Sequence, residues 1–180
     1  MDNVVRFLAY ALLFVVCTVA GRSPGCPRGA RVVLLAIGTV GLLLGLAEVL
    51  EVGGWVSDQG RSVAWSDGWY RDRRRVQALV VVAIAAVTVV AAFTSAVALK
   101  AYGVRMSAVA ALGMVLLGFI AARTVSLHQL DHYFYAEVAP GGLNLGQVAE
   151  LMLVALLAAA ILTLRWSEGI QGRGSVSPPV

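Results

Sequence analysis

His128 and His132 stand four residues apart, so on a helix both imidazoles would face one side, the spacing at which two histidines can share a metal ion. Asp131 is beside one and three residues from the other. Glu48, Glu51 and Glu150 are the carboxylates nearest to long apolar stretches and would complete an oxygen-rich shell for zinc or iron, with His128, His132, Glu51 and Glu150 as ligands. The chemistry that follows is acid/base, with or without a metal: His128, Asp131 and Glu48 catalytic, with His128 or a metal-bound water as the base. Arg71, Arg74 and Arg123 would hold a phosphate or carboxylate head group. A lipid or isoprenoid tail would lie between helices.

The motif is a loose one. It is neither H-E-x-x-H nor the paired Glu-x-x-His of ferritin-like bundles, and a helix mixing Asp with His is commonly a solvated surface. Arginines at the ends of apolar segments commonly snorkel to lipid head groups. No c-type haem motif, Walker loop, dinucleotide fingerprint or G-x-S-x-G sequence occurs, and two histidines on one short helix do not suit bis-His haem ligation.

The elements that would position these residues are apolar. Segments 4–20, 32–50, 76–99, 106–122 and 145–164 are each close to the ~20 helical residues that cross hydrocarbon, and nearly all the charge lies between them. Hydrophobic residues make up 59% and charged residues 13% of the 180, against roughly one quarter charged in a soluble domain. An open sheet edge cannot be satisfied in lipid, so the fold class is an all-α polytopic membrane bundle. It has five spans in one domain over 1–165, with a disordered tail over 166–180. The net charge of +4 answers to phospholipid head groups rather than to nucleic acid.

Several local signals refine this. Thr18-Val19-Ala20 weakly resembles a signal-peptidase site, and cleavage would leave four spans; the weakly basic start, with both Asp2 and Arg6, favours retention. Cys17 and Cys26 are the only cysteines, and nothing requires them to pair. Gly38, Gly41 and Gly45 line one helix face that Glu48 continues, so a neighbouring helix can approach closely there. Residues 52–75 read as the longest polar connection, with Trp55, Trp65, Trp69 and Tyr70 at the interface and Arg71, Arg73, Arg74 and Arg75 abutting the third span. Ser126 to Gln129 reads as a capping box opening a short amphipathic helix that Pro140-Gly141-Gly142 ends, and Asn144 with Gln147 repeats the box before the last span.

Five spans place the amino terminus, residues 52–75 and the His/Asp segment on one membrane side. Seven basic residues fall on each side, so the count gives no orientation; the density of Arg71–Arg75 favours a cytoplasmic amino terminus in a bacterial inner membrane. On either orientation Glu48, Glu51, Arg71, Arg74, Arg123, His128, Asp131, His132 and Glu150 converge on one face. The alternative to an enzyme is a non-catalytic membrane subunit, a proton-conducting module carrying protons on Glu48 and Glu150, or a transport module. Such a protein would associate with a copy of itself or with a partner through its Gly-rich face.

Overall fold

The computed structural model describes residues 2–66, 73–125, 137–139 and 143–164; for 2, 57, 61, 64, 73, 74, 137–139 and 143 it describes the backbone alone. Six α-helices form among them: α1 (Asp2–Arg22), α2 (Arg28–Val49), α3 (Val52–Ser66), α4 (Arg73–Ala98), α5 (Val104–Thr124) and α6 (Leu145–Leu162). All but α3 are long and apolar enough to cross a membrane. The expected five-span bundle is therefore the fold.

Its plan is two antiparallel hairpins joined by a fifth span. α1 packs along α2, α4 packs along α5, and α6 sits between α1 and α5. Between α2 and α5 contact is slight. The first hairpin closes as the glycine spacing requires: a Cβ on Gly38 would stand 3.0 Å from Cys17 Cβ and 3.3 Å from the Phe14 backbone, and one on Gly45 3.0 Å from Tyr10 Cβ. The helix that the Gly-rich face is expected to admit is thus α1 of the same chain. In the second hairpin Gly118 gives way to Thr88, whose side chain occupies the space a Cβ would take.

Buried residues of α1 recur every three or four positions: Arg6, Tyr10, Leu13, Cys17 and Gly21. Of these, Tyr10, Leu13 and Cys17 meet Leu34 of α2, Met106, Val109 and Leu116 of α5, and Val154, Leu157 and Ile161 of α6 in one core. α4 by contrast buries no residue fully along its span, so the Val and Ala surface turned away from α5 is left to lipid.

Two features depart from the sequence reading. The connection after α2 holds a helix, α3, with Val52, Val56 and Val63 on one side and Asp58 and Ser62 away from it. Gly53, Gly54 and Gly60 weaken helical propensity there and disguise the pattern. Glu51 makes the corner at φ 52°, a conformation usually left to glycine. Before α6, Glu137–Ala139 and Leu143–Asn144 pair as a small antiparallel ribbon. The second capping box forms as expected: the Asn144 N–H donates to Gln147 Oε1 and the Gln147 N–H to Asn144 Oδ1, each at 2.9 Å. The helix expected to start near Leu127 lies outside the described residues.

Candidate functional site

At the end of the bundle holding the amino terminus, four helices each contribute one charge. Glu48 comes from the last turn of α2, Arg6 from the first turns of α1, Glu150 from α6 and Arg123 from the last turn of α5. Arg6 Nη1 stands 2.5 Å from Glu48 Oε2 and 3.8 Å from Glu150 Oε2. Arg123 Nη1 pairs with Glu150 Oε2, and the Tyr10 hydroxyl donates to Glu150 Oε1 at 2.6 Å. The order across the helices is minus, plus, minus, plus, and the four charges cancel.

Burial makes this order consequential. Glu150 is wholly buried and Arg6 is 4% exposed, so each would be costly without its neighbours. Arg6 also donates from Nη2 to Asn3 Oδ1 at 2.6 Å, while its Nε has no hydrogen-bond partner among the described residues. Its contact with Glu48 is an ion pair out of hydrogen-bond alignment. Glu150 is held from three sides, and both of its oxygens are engaged.

Of the residues singled out by sequence, Glu48, Arg123 and Glu150 meet in this network. Glu51 is exposed at the corner between α2 and α3. His128, Asp131, His132 and Arg71, and the side chain of Arg74, lie outside the described residues. Among the described residues no three His, Cys, Asp or Glu side chains gather as a metal site. Both Glu150 oxygens are bonded, Glu51 is exposed, and Arg123 pairs with Glu150. Sequence reasoning missed Arg6 and Tyr10. Their four-residue spacing, continued by Leu13 and Cys17, marks the buried face of α1.

The opposite membrane face has a different electrostatic character. The described residues there include Arg22, Arg28, Arg31, Lys100 and Arg105, and no acidic residue is among them. Two of these basic side chains cap helix ends: Arg31 Nε donates to the Gly21 carbonyl at 2.8 Å and Arg105 Nη1 to the Thr163 carbonyl at 2.7 Å. Tyr102, in the 3₁₀ turn Lys100–Tyr102, sets its hydroxyl against Gly29, where a Cβ would not fit.

Between the two hairpins the slight contact of α2 with α5 leaves a cleft of about 410 Å³. Val32, Ile37 and Leu44 line it from α2, Leu99 from the end of α4, and Gly113 and Leu117 from α5. Among the described residues Ser95 supplies the one side-chain polar group in the lining. From Val32 to Leu44 it follows roughly 18 Å of α2, about one leaflet of hydrocarbon. Its inner end reaches Leu13 and Leu44, within a helical turn or so of Tyr10 and Glu48. Comparisons with protein-family models, with curated proteins and with solved structures gave no match.

Proposed function

We propose that this protein is a lipid-binding membrane bundle whose cleft between α2 and the α4–α5 hairpin takes one hydrocarbon chain of a membrane lipid. The carrying observation is the cleft itself. Its volume of about 410 Å³ falls in the range of small-molecule sites, and among the described residues its lining is apolar but for Ser95. In a bilayer the molecules on hand to fill such a space are lipid chains. The ion-pair network then has a structural role, tying α2, α1, α6 and α5 together at one end while the cleft between the hairpins stays open.

A binding role is favoured over catalysis by the state of the charged groups. Glu150 and Arg123 satisfy each other, and Glu48 faces Arg6, so these carboxylates serve as counter-ions rather than as free bases. Zinc or iron chemistry would have to be built on His128 and His132, and lipid binding in the cleft requires neither. The dense Arg71–Arg75 run favours a cytoplasmic position for the network end, in a bacterial inner membrane.

Native mass spectrometry of the detergent-purified protein tests the proposal. One lipid should survive extensive detergent washing, and Ala36→Trp, which puts a large side chain into the cleft lining, should remove it. Absence of retained lipid, or retention unchanged by Ala36→Trp, would overturn it.

A further inference from the structure

We infer that the lipid is anionic, its phosphate held between Arg28 and Lys100 at the membrane face opposite the ion-pair network. This rests on the cleft being a lipid site and adds the class of head group. Val32 and Leu99 line the cleft toward that face. Arg28 lies one turn before Val32 on the same side of α2, and Lys100 directly follows Leu99. The two cations therefore belong to the segments that flank this end of the cleft, and Tyr102 set against Gly29 brings those segments together.

The charge of the described residues favours an anionic head group. Arg31 and Arg105 are spent on the Gly21 and Thr163 carbonyls, whereas the exposed side chains of Arg28 and Lys100 have no hydrogen bond or ion pair within the described residues. The described acidic side chains, Glu48, Glu51, Asp58 and Glu150, all belong to the other membrane face. Among the described residues no acidic side chain stands at this face to neutralise the pair, and a tail lying in the cleft presents its phosphate at that height. Sequence reasoning placed the head group at Arg71, Arg74 and Arg123; Arg123 is neutralised by Glu150, while Arg28 and Lys100 are not.

Competition between phosphatidylglycerol and phosphatidylcholine at equal concentration in mixed micelles, read by native mass spectrometry on the full chain, tests this. The wild-type protein should retain phosphatidylglycerol over phosphatidylcholine by roughly tenfold, as two cations near a membrane surface permit. Arg28→Gln/Lys100→Gln should bring the two to parity while lipid is still retained, and Arg22→Gln, on the same face but away from the cleft, should keep the preference. A wild-type protein that retains both lipids equally, or a double variant that still prefers phosphatidylglycerol, would overturn the head-group assignment and leave the cleft reading standing. Retention of neither lipid would overturn both. A thermal melt of each variant separates loss of selectivity from loss of fold.

Discussion

Tyr10 and Glu150 are separated by 140 positions in the chain, yet the phenol donates to the carboxylate at 2.6 Å inside the bundle. The bond links α1 to α6 beside the ion pair that links α6 to α5. Glu150 is thereby the point at which the two hairpins are tied. Replacing Tyr10 by Phe keeps the ring and removes the hydrogen bond alone, so a loss of about 0.5–2 kcal/mol is expected. Unfolding of the purified protein in mixed micelles reads it; a Tyr10→Phe variant as stable as wild type would show that the bond adds nothing.

The glycines of the helices divide by what they face. Gly38→Leu must push apart α1 and α2, since even a Cβ would crowd the Phe14 backbone. Gly54, on α3, has no atom within 4 Å of a built Cβ, so Gly54→Ala should be neutral or raise stability by up to about 1 kcal/mol through helical propensity. Melting temperatures of the two variants should move in opposite directions or differ widely; equal effects would contradict the packing of α1 on α2.

Glu51 holds a left-handed backbone at φ 52°. Glycine accepts that conformation without the clash of a Cβ, so Glu51→Gly should stabilise the corner by about 1 kcal/mol. A lower melting temperature in Glu51→Gly would mean that the carboxylate, exposed as it is, contributes more than its backbone costs.

Cys26 sits in the turn between α1 and α2 as a free thiol, 8% exposed. Burial pushes its pKa above the ordinary thiol value, and Arg31 opposes that rise with a smaller effect. A raised pKa keeps the thiol neutral further up the pH scale, so maleimide should label native Cys26 slowly at pH 7 and faster as pH climbs past the ordinary thiol range. A labelling rate at pH 7 equal to that of a free thiol in solution would contradict this.

How far the sequence could be read differs by element. Five apolar segments, separated by charge, require five spans because lipid leaves the backbone no other open-chain solution. The glycine face of α2 and the Asn144–Gln147 box were legible because spacing alone defines them. α3 was hidden because Gly53, Gly54 and Gly60 speak for a loop. A ribbon as short as Glu137–Ala139 carries no periodicity to detect.

The site was half legible. Glu48, Arg123 and Glu150 could be brought to one face by counting spans, but their pairing could not, since it depends on which helices touch. Arg6 resembles an ordinary terminal charge and Tyr10 an ordinary apolar residue until their shared helix face is noticed. The cleft has no sequence signal, because it arises from the slight contact between two hairpins.

Above all, wholly buried Glu150 and half-buried Arg123 form an ion pair that ties α6 to the α4–α5 hairpin. A double-mutant cycle with Glu150→Ala, Arg123→Ala and the double variant, read by unfolding in a bilayer mimic, measures that coupling. Glu150→Ala, which leaves Arg123 and Arg6 facing each other without their carboxylate, should cost roughly 3–5 kcal/mol. The double variant should cost less than the sum of the two single changes by at least about 1 kcal/mol. Strict additivity, or a Glu150→Ala variant that unfolds like wild type, would contradict the account.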